Sequence, residues 1–157
     1  MAAMNKDEQV AFLAEPRVGV LAVEWEGRAP LSVPVWYDYQ PHGDLIVWTF
    51  ADSLKDRLVR AAGRFSLTVQ AEDLPYRFVT VQGPVTSVER GDPEFVRTLA
   101  SRYLGADRAD TYIENDYEPE SVTIRMSPER WLSGRYLYRE EYAEPDGTTN
   151  RGSLSGA

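Results

Sequence analysis

Between Arg17 and Met126 the chain is cut into six short runs rich in β-branched and aromatic residues, most of them bounded by glycine, proline or aspartate turns. The runs are Arg17–Trp25, Pro30–Tyr39, Leu45–Phe50, Arg64–Glu72, Phe78–Val88 and Ser121–Met126. Much of each run alternates apolar and polar residues, which puts every second side chain on one face of a strand. Six strands joined by few, short helices predict a mainly β fold, a closed or partly closed barrel. Pro34 in the second run has no N–H to give to a ladder, so that strand must lie at an edge or carry a local break.

Four segments change to a helical period. Asn5 is a cap for a helix reaching about Ala14, with Asp7 and Glu8 in its first turn. Ser53 to Ala62 carries Leu54, Leu58, Val59 and Ala62 on one face and stops at Gly63. Asp92-Pro93 opens a third helix that turns Phe95, Val96, Leu99, Tyr103 and Leu104 inward, and Arg108 to Tyr117 predicts a fourth. Residues 1–139 read as one domain. Residues 140–157 are polar and rich in Gly, Ser and Thr, and read as a flexible tail.

The chain has no cysteine, which removes disulfides, thiolate nucleophiles and zinc–thiolate sites. With no run of roughly 18 apolar residues and no basic-then-apolar leader, the expectation is a cytoplasmic protein without a membrane span. A net charge of −8 repels phosphate backbones over the general surface. A small nucleic-acid-binding barrel with aromatic strands is therefore disfavoured. It also follows that any bound anion must be met by a local concentration of cations.

One such concentration follows the third strand, in LIVWTFADSLKDRLVRAAGR. Ser53, Lys55 and Arg57 stand at alternate positions where a turn enters a helix. A helix N-terminus offers unpaired N–H groups and the positive end of a dipole. The serine adds a hydroxyl, the lysine a point charge and the arginine a planar fork for phosphate oxygens. The same pattern also suits a serine cap with two solvated cations, and Asp56 beside Lys55 is expected to balance part of its charge. Trp36 and Tyr37 on the second strand, with Trp48 and Phe50 on the third, read for the most part as core packing, and one or two of them flanking a planar ring would suffice for a mostly apolar pocket. Alternation sets Trp48 and Phe50 on one face and Thr49 on the other. His42, in a Pro-His-Gly-Asp turn, reads as a turn residue. Glu114, Asp116, Glu118 and Glu120 read as a solvated acidic loop, so no metal site is assigned. Tyr76 and Arg77 suit either a strand entry or a carboxylate contact.

The order PVWYDY, then LIVWTFADSLKDRLVRAAGRFSLTVQ, then YRFVTVQGPV resembles the pyridoxamine 5′-phosphate oxidase-like superfamily, and within it the split-barrel flavin and deazaflavin oxidoreductases. The resemblance spans about Phe12 to Trp131, and the PERW segment fits it. It implies a six-stranded split β-barrel acting as a homodimer, with FMN or coenzyme F420 in a groove at the dimer seam. It also implies hydride transfer to or from a small organic substrate; a binding or sequestering protein without turnover is the alternative. Ser53, Lys55 and Arg57 would hold the phosphate, and the ring would lie near Val35, Trp36, Tyr37, Thr49 and Phe50. Gln82 and Gly83 would lie near the ring or the seam, and Trp131 and Arg135 would reach across from the second subunit. The cofactor performs such a step, so no catalytic side chain is assigned. The commonest deazaflavin pattern has Arg-Asn-Leu where this chain has Arg57-Leu58-Val59. Arg60 and Arg64, grouped with Lys55 and Arg57, favour F420 with its acidic tail.

Overall fold

A computed structural model describes residues 1–136, so the expected tail at 140–157 lies outside the described residues. The elements run α1 (Lys6–Ala14), β1 (Gly19–Val23), β2 (Leu31–Val35), β3 (Tyr37–Tyr39), β4 (Leu45–Phe50), α2 (Leu54–Ala62), β5 (Arg64–Ala71), β6 (Arg77–Arg90), α3 (Pro93–Leu104), α4 (Ala106–Asp116), β7 (Ser121–Met126) and β8 (Arg130–Arg135). No helix among the described residues is long and apolar enough to cross a membrane.

All pairings are antiparallel, in the order β2-β1-β5-β6-β7-β4-β3, with β8 also on β6. Eight labelled strands reduce to six continuous ones. β2 and β3 are one stretch interrupted at Trp36: β2 pairs with β1, whereas β3 pairs with β4. The ends of the sheet are thus the two halves of one strand, which curls the sheet into a split barrel. Pro34 lies on β2, whose only partner among the described residues is β1, so its missing N–H leaves no gap in a central ladder.

β7 and β8 likewise run along a single neighbour. β7 pairs with β6 from Arg90↔Val122 to Val85↔Met126, and β8 continues from Gln82↔Arg130 to Arg77↔Arg135. Ser127 N–H to Pro84 O and Glu129 N–H to Gln82 O, each 3.0 Å, carry the ladder across the Pro128 interruption. β8 departs from the expectation that the PERW segment merely follows the last strand. Its Ser133 and Gly134 hide the strand pattern, because both are selected by packing. Ser133 Oγ is buried and accepts the Met4 N–H at 3.0 Å. A Cβ on Gly134 would meet Met1 and the Phe78 ring.

Inward residues of both halves make one core, with Leu21, Tyr37, Tyr39, Leu45, Val47, Leu67, Val79, Val81, Ile124 and Met126 fully or nearly fully buried. α1 adds Phe12 and Leu13 to it. Each such apolar side chain contributes about 1.5–3 kcal/mol on leaving water. An Asn5–Glu8 capping box starts α1. Glu8–Arg135 at 3.0 Å, Gln9–Ser133 at 2.9 Å and Lys6 Nζ 3.4 Å above the Trp131 ring then fasten it to β8.

Gly83 sits where β6 crosses the β7–β8 junction, and a Cβ there would lie 1.7 Å from the Ser127 carbonyl oxygen. Backbone cannot yield as a side chain does. Gly83→Ala is expected to destabilise the unliganded chain by about 1–3 kcal/mol through overpacking, seen as a lower urea midpoint. An unchanged midpoint would show that the junction relaxes freely.

Candidate functional site

The turn between β4 and α2 is built by its own side chains. Asp52 adopts a left-handed conformation, φ 62°, and its N–H donates to Asp56 Oδ2 at 2.9 Å. Ser53 caps α2, its Oγ accepting the Asp56 N–H at 3.2 Å. Gly63 closes the helix in the left-handed region, its N–H on Val59 O at 2.9 Å. The N–H groups of Leu54 and Lys55 open the first turn, where helix geometry gives them no intrahelical acceptor.

Three side chains converge above those N–H groups. Thr49 Oγ1 lies 3.4 Å from Ser53 Oγ, and Lys55 Nζ lies 3.5 Å from Thr49 Oγ1. Lys55 is half-buried, and burial lowers its pKa because the ammonium loses hydration without gaining a carboxylate. Among the described residues neither Lys55 nor Arg57 forms an ion pair. Asp56 does not balance Lys55 as its position suggested. Its carboxylate takes Arg60 Nε at 2.7 Å, the neighbour one helical turn on. Arg60, expected to serve an acidic cofactor tail, is therefore already engaged. Arg57 and Arg64 are exposed.

Beside this turn lies a cavity of about 310 Å³, walled by Val35 and Trp36 at the β2–β3 break, Trp48 of β4, Lys55 of α2, and Leu99 and Tyr112 of α3 and α4. Val18 and Pro34 also line it. Trp36 stacks on Tyr103, centroids 5.0 Å apart and planes at 7°, and meets Tyr112 at 5.4 Å. Tyr103 Oη in turn donates to Arg17 O at 2.7 Å and accepts the Tyr37 N–H at 3.1 Å. Trp48 packs edge-on to Phe50 at 5.6 Å and stacks on Tyr117 at 6.4 Å. These two therefore share a face, with Thr49 turned to the other.

The expected site residues fall into three groups. Val35, Trp36, Thr49, Ser53 and Lys55 come together at the turn and cavity, with Phe50 exposed beside them and Arg57 on the outer side of α2. Tyr37 neighbours the cavity through its backbone alone. Its ring is fully buried and its hydroxyl donates to Leu13 O at 2.7 Å, with burial pushing its pKa up. Gln82 is exposed on β6, and Gly83 adjoins the Ser127 carbonyl. Trp131 and Arg135 are engaged within their own chain: Trp131 lies edge-on to Tyr39 at 6.1 Å and under Lys6, and Arg135 pairs with Glu8. His42 occupies its turn with φ 68°. Tyr76 is exposed, and the Arg77 guanidinium lies 5.2 Å from the Phe12 ring. Sequence reasoning left out Tyr112 as a wall of the cavity. Its position on an amphipathic α4 was the available signal.

An antiparallel split barrel with a half-buried lysine at a helix N-terminus and an aromatic cavity next to it defines a recognisable class of fold. The family model described as pyridoxamine 5′-phosphate oxidase matches residues 5–143, and the chain belongs to that family. Solved structures agree on the fold. An F420 reductase superposes with a TM-score of 0.64 at 24% identity, covering 78% of this chain and 94% of that one. A conserved hypothetical protein from Mycobacterium tuberculosis gives 0.67 at 23%, covering 84% and 85%. A FAD-binding protein from Mesorhizobium loti gives 0.62 at 20%, covering 87% and 98%. No curated protein sequence matches this chain.

A lysine whose pKa falls on folding opposes folding while it is charged. That penalty is full below the folded-state pKa and disappears as pH rises from there through the unfolded-state value. Lys55→Met keeps the stem and removes the charge, so it is expected to raise the melting temperature of the unliganded chain at neutral pH, with the gain shrinking toward pH 10–11, about the ordinary lysine range. A lower melting temperature at neutral pH would contradict an unsatisfied Lys55.

Proposed function

We propose that this chain binds a flavin-type cofactor, FMN or F420, through a phosphate seated on the α2 N-terminus, and uses it for hydride exchange with a small organic molecule. The observation that carries this reading is the half-buried Lys55 ammonium, without an ion-pair partner among the described residues, beside Thr49, Ser53 and the open first turn of α2. A phosphate there gains two backbone donors, a hydroxyl and a charge that folding has already partly desolvated. Arg57, exposed on the same helix, is assigned as its second cation.

The cavity fits the ring. Val35 and Trp36 line it at the junction where the ladder to β1 ends and that to β4 begins. Bound there, the cofactor would supply the hydride chemistry. The chain's part is to hold it, to exclude water with Trp36, Trp48, Leu99 and Tyr112, and to keep the Lys55 proton against the phosphate. With Arg60 tied to Asp56, the cations left for an acidic F420 tail are Arg57 and Arg64, whereas FMN needs the phosphate site alone. A sequestering protein would use the same contacts and differs only in lacking an acceptor that reoxidises the cofactor.

The homodimer belongs to the same proposal. On the outer face of the sheet Pro34, Val20, Thr68, Thr80 and Leu132 stand side by side in register. Val20 and Leu132 are 43% and 63% exposed. Pro34 belongs both to this row and to the lining of the cavity, so a second copy docked on the row would also wall the site.

Parallel titrations with FMN and F420, read by quenching of the four tryptophans, are expected to show binding of at least one. Lys55→Ala with Arg57→Ala should weaken it by at least tenfold, about 1.4 kcal/mol, with the fold intact; equal affinity in the double variant removes the phosphate assignment. By light scattering the native chain is expected as a dimer and Leu132→Glu as a monomer with weaker cofactor binding, because a buried unpaired carboxylate opposes docking. A monomeric native chain that binds cofactor tightly would overturn the shared-site reading.

A further inference from the structure

We infer that Asp56 is a positioning residue for the anion site, acting through the Asp52 backbone and through Arg60 rather than by touching the ligand; this rests on the cofactor reading above. The side chain is 4% exposed, in the first turn of the helix that would receive a phosphate. A buried carboxylate in that place would repel an anion unless its charge were cancelled and its oxygens were committed elsewhere. Both conditions are met. Oδ1 accepts Arg60 Nε at 2.7 Å, and Oδ2 accepts the Asp52 N–H at 2.9 Å.

The second bond has a conformational role. Asp52 holds φ 62°, a region that costs any residue with a Cβ. The hydrogen bond to Asp56 offsets that cost and fixes where the chain leaves β4. Ser53 follows directly, and its Oγ is bound to the Asp56 N–H. That cap uses the Asp56 backbone, so the carboxylate acts on the turn through the Asp52 N–H, the residue next to Ser53. The first bond has an electrostatic role: by taking Arg60, Asp56 leaves Lys55 and Arg57 without a carboxylate partner and available to an anion.

The two roles separate by mutation. Asn at position 56 keeps an acceptor for the Asp52 N–H and loses the charge; Ala loses both. Arg60→Gln leaves the carboxylate uncompensated. Titrating the full-length protein with FMN and F420, with thermal melts of the unliganded forms, Asp56→Ala is expected to raise Kd about tenfold or more, and Asp56→Asn about threefold or less. Arg60→Gln should weaken binding, and Asp56→Asn with Arg60→Gln should restore it to near the Asp56→Asn value, a rescue that loss of stability would not produce. If Asp56→Ala fails to fold, the Asn and Arg60 variants decide alone. Asp56→Asn losing affinity as Ala does, or no rescue in the double variant, overturns the inference while native binding stands. A native chain that binds neither cofactor overturns the cofactor reading and this inference together.

Discussion

The strand from Leu31 to Tyr39 has to serve two neighbours that lie at opposite ends of the sheet. Its first half hydrogen-bonds β1 and its second half β4, and the switch is made within the single residue Trp36. Closure of the barrel depends on that switch. At the break Val35 and Tyr37 both point into the core and Trp36 points out, where Tyr103 and Tyr112 of the helical hairpin pack against it. The helical cover and the cavity beside it are consequences of one interruption in a ladder.

Against this framework the α2 turn is costly in isolation. Lys55 loses hydration without a carboxylate in return, Asp52 sits in a left-handed conformation, and Asp56 is a buried charge. Each is tolerated because the surrounding structure over-determines it: α2 is anchored by Val59 in the core and ended by Gly63. Stability is given up at one place on a barrel whose core supplies it elsewhere.

The strands and helices with clear period were legible from residues alone. Alternation identified β1, β4, β5, β6 and β7, the Asn5, Ser53 and Asp92 caps located three helices within a residue, and Pro34 announced an edge. β8 was not legible. Ser133 and Gly134 are answers to the N-terminal arm and to Phe78, partners distant in sequence that no local propensity encodes. The same holds in the site. Ser53 and Lys55 were visible as spacing, and their convergence with Thr49 was not. Asp56 shows the difference most clearly: proximity in sequence pointed to Lys55, while helical geometry gave it to Arg60 one turn away.

Residues near the start and the end of the described barrel are hydrogen-bond partners. Ala2 and Arg135 exchange two backbone bonds, at 2.9 and 2.8 Å, and Met4 meets Ser133 across a separation of 129 residues. The path of the polypeptide through the barrel is therefore nearly a loop. Such a chain is suited to circular permutation, with a short linker joining these neighbours and new ends opened at the exposed Pro41–Gly43 turn, which β4 separates from α2. Connectivity around Ala2 and Arg135 could then be rewritten while every pairing that shapes the cavity is kept.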